Sequence, residues 1–395
     1  MKISNIILTI MLSAMLSWIG CGKDQDSQEL PSTPKPDSFS APPSVDLLLG
    51  HVSHDHHLAL YVAADYAAEY AKESGINLNA VEDKKFYQLT DGDRKVADVE
   101  IVMVGGGSKM PAALAQNIIE VGYGGVAPVL AFVDQGTPIK LIAPLHYKGD
   151  MFVVKPHFPA QTWPEFVAYA KTVDQPIRIG YKSPVACAKV IFEEALKFEG
   201  IPFGSDPAQT DIKVLMINTN GGDKLNTSLG GDLIDGYAGN NPFPAIAVEK
   251  KIGRIVCDLE DLPPGTFQNH PCCCIAARTD ALRNKSEAII DLLVLFIQAN
   301  GTINTDLEKA VASATKWIGT SETVEKMSIP TSGYSLEASE EWYGTMAKWI
   351  EVMDGMDQFR GQLKGKTVEE AAEITYDFTL LQKAKQKLEE RRSKK

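Results

Sequence analysis

Apolar positions along this chain keep two different rhythms. Short continuous apolar runs, the mark of buried strands, fall at Val45 to His51, Val99 to Val104, Ile139 to Leu145, Pro176 to Gly180, Lys213 to Ile217 and Arg254 to Cys257. Stretches with apolar residues three and four apart, the mark of helices, fall at Leu58 to Glu73, Thr162 to Ala170, Val185 to Glu199 and Ser286 to Asn300. Thr162 supplies an N-cap hydroxyl and Pro164 sits in the first turn, so one helix start is written out in full. Strand and helix alternate at intervals that suit a parallel sheet covered on both faces, which sets the fold class as α/β. Beyond Asn300 two or three further helices are expected to about Leu388, carrying Trp317, Trp342 and Trp349, and Lys383 to Lys395 reads as a charged, fraying end. No stretch after residue 44 is read as a membrane span.

The chain also repeats itself. Glu120-Val-Gly-Tyr-Gly-Gly-Val-Ala-Pro128 and Asp235-Gly-Tyr-Ala-Gly-Asn-Asn-Pro242 share the spelling Gly-Tyr-x-Gly-x-x-Pro. Each follows a short apolar approach and precedes a helix-like run, Val129 to Asp134 and Ala245 to Lys251, so each is expected to be strand, glycine turn and helix start. Glycine lets the backbone come close to another group, proline suits a first helical turn, and a helix start offers free N–H groups. Two such turns face to face predict two lobes built alike with a cleft between them.

The N-terminus has a different character. Met1-Lys2 precedes an apolar run from Ile3 to Ile19 that ends in Trp18-Ile-Gly-Cys21, a charged start, a short apolar core and a small residue before a cysteine. This predicts a lipoprotein signal over 1–21, with Cys21 acylated and holding the protein to a lipid bilayer without a spanning helix. Low hydrophobicity and Pro31, Pro34, Pro36, Pro42 and Pro43 make 22–44 a tether. The folded part then divides into 45–150 (lobe I, first part), 151–268 (lobe II) and 269–395 (return to lobe I and C-terminal helices).

Composition narrows the function classes. Of 395 residues, 44% are hydrophobic and 23% charged, as in a soluble globular protein, and the length allows two domains with proper cores. A net charge of −12, with a basic run only at the extreme C-terminus, argues against nucleic acid as a partner. An anionic small ligand stays open, because a buried site answers to its own dipoles.

Candidate chemistry gathers where strands hand over to helices. His51, His54, Asp55, His56 and His57 crowd one loop; they are read as helix caps or ligand contacts for one or two of them with the rest solvated, and a metal site is the alternative. Gly105-Gly-Gly-Ser108 before a helix forms an anion-binding turn that lacks the order of a phosphate-binding P-loop. Lys182 and Ser183 stand before a helix start, where an anion is welcome and ordinary capping is the competing account. Cys272, Cys273 and Cys274 are read as buried strand cysteines, because strand alternation puts Cys272 and Cys274 on one face and Cys273 on the other. No Ser/His/Asp set can be argued together, so no catalytic residue, enzyme activity or cofactor is expected.

These residues and their order resemble the solute-binding proteins of ABC importers for nitrate, bicarbonate, taurine and aliphatic sulfonates. The parts that carry the resemblance are Gly239-Asn-Asn-Pro-Phe243, Gly253-Arg-Ile-Val256 and the cysteine strand near residue 270. It implies a two-lobed periplasmic-binding-protein-like fold of type II, with two crossovers and a ligand cleft between the lobes. It also implies a monomer that hands a small solute to ABC permease subunits at the bacterial cell envelope, facing the periplasm or the cell exterior. The ligand contacts it implies are Ser53, His54, Asp55, Gly106, Gly107, Ser108, Gly125, Val126, Ala127, Lys182, Ser183, Asn240, Asn241 and His270. Asn241 stands where the family usually has glutamate, which makes an anion easier to hold. The superfamily also includes the fungal-type pyrimidine synthase of thiamine biosynthesis, whose iron-linked Cys-Cys-Cys-Phe-Cys run matches Cys272 to Ala276; here Ile275 and Ala276 replace Phe and Cys. Such an enzyme, or a metal-binding receptor using His54, His56, His270 and Cys272, is the alternative reading.

Overall fold

The computed structural model describes residues 46–394; the expected signal with Cys21, the expected tether over 22–44 and Val45 lie outside the described residues. Two sheets carry the fold. The first has eight strands in the order Ser332–Tyr334, Ile139–Lys148, Pro271–Arg278, Val121–Gly125, Leu47–His51, Arg94–Met103, Phe86–Asp91, Ile76–Glu82. The second has six, in the order Arg254–Asp258, Asp150–Val154, Gly236–Asn240, Ile177–Tyr181, Val214–Asn218, Phe203–Gly204. The chain passes from the first sheet to the second between Lys148 and Asp150 and returns before Pro271, so two crossovers join the lobes. At the heart of each sheet the strands are parallel, Leu47–His51 with both its neighbours and Ile177–Tyr181 with both of its own. The strands buried along their whole length, Val121–Gly125, Asp150–Val154 and Gly236–Asn240, all have neighbours on both sides.

Several elements depart from the expectations above, each for a physical reason. The hairpin Ile76–Glu82 and Phe86–Asp91 went unread, because half its positions are polar and it lies at a sheet edge. The two Gly-Tyr segments are strands themselves, not turns after strands, and their helices begin at Val126 and Phe243. Their glycines make room inside the sheet: a Cβ on Gly122 would lie 2.1 Å from Met110 Sδ, and one on Gly236 would lie 2.6 Å from the Val153 carbonyl. After the helix Ser286–Thr305 come five helices instead of two or three, broken by Gly319, by the 3-10 turn Ile329–Thr331 with the edge strand Ser332–Tyr334, and by the irregular segment 357–366. The basic C-terminal helix, Thr379–Ser393, does not fray; Arg391 pairs with Asp91 at 2.8 Å and Arg392 with Glu73 at 2.8 Å. Ser286–Thr305 is long and apolar enough to cross a membrane, against the sequence reading, yet its apolar side chains are buried against the Leu58–Ser74 and Thr379–Ser393 helices.

Candidate functional site

The segment between the strand Leu47–His51 and the helix Leu58–Ser74 dives under the C-terminal ends of the lobe I strands. His51, His54, Asp55, His56 and His57 are all buried, which corrects the expectation that most of the histidines are solvated. None caps the helix: His57 occupies the N-cap position with no side-chain capping bond, and its Nδ1 instead accepts from the Val52 N–H at 2.9 Å. Burial pushes these imidazoles to titrate far more acidic than usual, His51 down to about 4, so they are neutral near pH 7. Asp55 turns away from its neighbours. It accepts from Ser328 Oγ and lies beside Glu325, and burial followed by that second carboxylate raises its pKa well above the usual range.

Two adjoining cavities open between the lobes. One of about 260 Å³ is lined by Val52, Ser53, His54 and Gly105 to Gly107 from lobe I and by Lys182, Asn240 and Phe243 from lobe II. The other, about 340 Å³, continues along Gly105 to Lys109 toward Lys182, Ser183 and the Asn218 to Gly222 loop. Lys182 Nζ donates to Asn240 Oδ1 at the junction. The His54 ring lies over Gly107, where a Cβ would come 3.7 Å from its Nε2. His54 Nδ1 and Ser183 Oγ are buried without a hydrogen-bond partner, a costly state that a bound polar group would relieve. A larger cavity of about 650 Å³ sits on lobe II among Lys155, Arg178 and Asp235, but its charges already pair with one another, Arg178 Nη2 lying 2.6 Å from Asp235.

Of the residues named from sequence, Ser53, His54, Gly106, Gly107, Ser108, Lys182, Ser183 and Asn240 line these cavities. Gly125, Val126 and Ala127 are buried outside them, behind the start of the Cys187–Phe198 helix; a Cβ on Gly125 would meet Cys187 Sγ at 3.1 Å. Asn241 faces the opposite way, donating Nδ2 to Thr331 Oγ1 at 2.7 Å and to the Ser328 carbonyl at 3.1 Å. His270 is fully buried, its Nδ1 donating to the Phe267 carbonyl at 2.7 Å and its Nε2 lying 3.5 Å from Asp150 Oδ2. Burial alone would raise the Asp150 carboxyl, but His270 together with Lys182 and the Cys272 thiol outweighs it and lowers the pKa.

Below the cavities the crossover strands form a buried polar floor. Its members that sequence reasoning missed are His146, Asp150 and Cys187, which are scattered through the chain and carry no local pattern to announce them. Cys272 and Cys273 do not point to opposite faces as strand alternation requires. The register against Ile139–Lys148 shifts on both sides of Cys273, and both thiols approach one nitrogen, His56 Nδ1, at 3.5 and 3.8 Å. Cys274 leaves this group and lies 3.5 Å from the Gly124 carbonyl. Of the alternative metal set read from sequence, His56 and Cys272 come together, His270 joins Asp150 and Cys272 in a second group, and His54 belongs to neither.

The profile of the NMT1-like family matches residues 40–319. An uncharacterized protein of Methanocaldococcus jannaschii is 31% identical over 147 residues, which are 37% of this chain and 91% of that protein. Among solved structures, the zinc-bound ligand-binding component of an ABC-type import system from Staphylococcus aureus superposes with a TM-score of 0.65 at 15% identity, over 86% of this chain and 98% of that one. The periplasmic nitrate-binding protein NrtA from Synechocystis PCC 6803 gives 0.63 at 14% identity, over 89% and 90%. At such identities the structural matches speak for the fold, and it is the two-lobed periplasmic-binding-protein fold expected from the sequence. The family profile covers most of the folded region, cleft loops and crossover included, and the chain belongs to the NMT1-like family.

Proposed function

We propose that this chain is the extracytoplasmic solute-binding protein of an ABC importer, held to the membrane through an acylated Cys21, and that it closes its two lobes over a small solute bearing an anionic group. The observation that carries the reading is the meeting of His54 and the Gly105 to Gly107 loop with Lys182 and Ser183 across one cleft. A solute touching both sides favours the closed form by its differential affinity, which is what shifts such an equilibrium. Lys182 supplies the positive charge, while the glycine loop offers backbone N–H groups at close range. The apolar lip formed by Met103 and Phe243 suits a short aliphatic portion on the same solute. Delivery to a permease needs no covalent chemistry, in keeping with the roles of the import component and nitrate-binding protein that share the fold. The test is calorimetric titration of the full chain with nitrate, bicarbonate and a short aliphatic sulfonate, repeated on Lys182→Ala. Binding of one of these with an affinity at least tenfold weaker in the variant, about 1.4 kcal/mol, supports the proposal; equal affinity in both proteins contradicts it.

A further inference from the structure

We infer that His56, His146, Cys272 and Cys273 form a closed tetrahedral site for a divalent transition ion of the zinc class, set in lobe I at the floor of the cleft. The four side chains are buried, and one ligand atom from each lies within 4.8 Å of all the others. With Zn–S near 2.3 Å and Zn–N near 2.0 Å, tetrahedral angles place a nitrogen and a sulfur about 3.5 Å apart. His56 Nδ1 stands 3.5 Å from Cys272 Sγ and 3.8 Å from Cys273 Sγ.

The outer partners fix which nitrogen of each ring is free. His56 Nε2 lies 3.3 Å from the Gly149 carbonyl and must carry the hydrogen there, which leaves the Nδ1 lone pair facing the thiols. His146 Nδ1 lies 3.2 Å from the Tyr147 carbonyl, and its Nε2 is buried with no partner. A backbone carbonyl holding the second ring nitrogen is the usual support of a metal-binding histidine. Hydrogen bonding alone leaves part of the cluster unexplained: Cys272 can turn to the Asp150 carboxylate and Cys273 to His56, but the His146 nitrogen is left with nothing. Two thiolates would neutralise a divalent ion, so the filled site adds no net charge to the interior.

The neighbouring group of Asp150, His270 and Cys272 is a weaker candidate, because both nitrogens of His270 already face protein acceptors. The bulge that turns Cys272 and Cys273 to the same side is the kind of local irregularity that re-aims side chains at a site. All four ligands belong to the first sheet or the loop beneath it, so the ion would stay bound whether the cleft is open or closed, and the inference stands whatever solute the cleft takes.

The experiment uses the full chain, reduced and stripped with a chelator, titrated anaerobically with cobalt(II) and then with zinc(II). Expected are one equivalent of cobalt, a thiolate-to-metal charge-transfer band, the strong visible bands of tetrahedral coordination, and displacement by zinc. Cys273→Ser and His146→Gln should each weaken zinc by more than about tenfold, a loss that even an outer partner can cause. Cys274→Ser should bind as the parent does. A parent protein that gives no thiolate charge-transfer band overturns the inference without recourse to any variant, and so does a loss that follows Cys274 instead of Cys273 and His146.

Discussion

Asn241, the lobe II residue just before the Phe243–Glu249 helix, donates its side-chain amide to Thr331 Oγ1 at 2.7 Å, on the segment that carries the chain back along lobe I. The same Nδ2 reaches the Ser328 carbonyl at 3.1 Å, and the Asn241 backbone N–H is bound by the Gly149 carbonyl at 3.0 Å. One side chain thus ties the cleft wall of one lobe to the body of the other beside the crossover.

Removing that amide should loosen the joint. Asn241→Ala takes one of two donors from the buried Ser328 carbonyl, which keeps the Thr331 hydroxyl at 2.8 Å, and removes the donor to that half-buried hydroxyl, at a cost of about 1 kcal/mol. The expected result is a lower urea midpoint together with a larger radius of gyration in solution scattering. An unchanged radius and midpoint would mean that Asn241 does not govern the joint.

Gly149 has φ +79°, in the left-handed region, and a Cβ there would fall 2.2 Å from Ser332 Oγ and 3.1 Å from His56 Nε2. Gly149→Ala should therefore cost about 1–3 kcal/mol through strain, and it should also displace the carbonyl that holds the His56 ring. Thermal unfolding reads the first effect and cobalt absorbance the second. A fully stable variant with unaltered cobalt spectrum would contradict the placement of this turn.

Acid should weaken the fold through the buried His51. Its ring packs edge-on to Tyr61 and Trp317, and burial lowers its pKa from 6.5 to about 4. On acidification the unfolded chain takes up this proton first, so the contribution is full above about pH 6.5 and is lost between there and pH 4, amounting to about 3 kcal/mol. His51→Phe keeps the ring packing and cannot titrate. Comparing urea unfolding of the two proteins at pH 7 and pH 4.5, the variant should gain relative to the parent at the lower pH; a constant difference would show that His51 titrates normally.

The α/β class and most central strands were legible because buried parallel strands are continuous apolar runs, as in Ile139 to Leu145. The cleft loops were legible for a related reason: Gly105 to Gly107 and Lys182-Ser183 sit at strand ends, where local sequence decides geometry. The floor was not. His146 and Asp150 lie at the end of one strand and the start of the next and meet Cys272 only after more than a hundred residues of intervening chain have folded. The paired thiols of Cys272 and Cys273 depend on a bulge set by register against a distant strand, which period-two reasoning along the segment itself cannot find. The same limit explains Asn241: its neighbours in sequence line the cleft, while its own side chain is claimed by Ser328 and Thr331.

The most direct test of the central claim, that the cleft between the lobes holds a small solute, is native mass spectrometry of the full chain released gently from membranes in detergent, alongside Lys182→Ala prepared in the same way. The expected result is an added mass of one small anionic molecule on the parent that is lost or depleted in the variant. A parent that flies bare after gentle preparation and gains no mass when nitrate, bicarbonate and a short sulfonate are supplied, or one whose bound molecule is retained equally by Lys182→Ala, would contradict it.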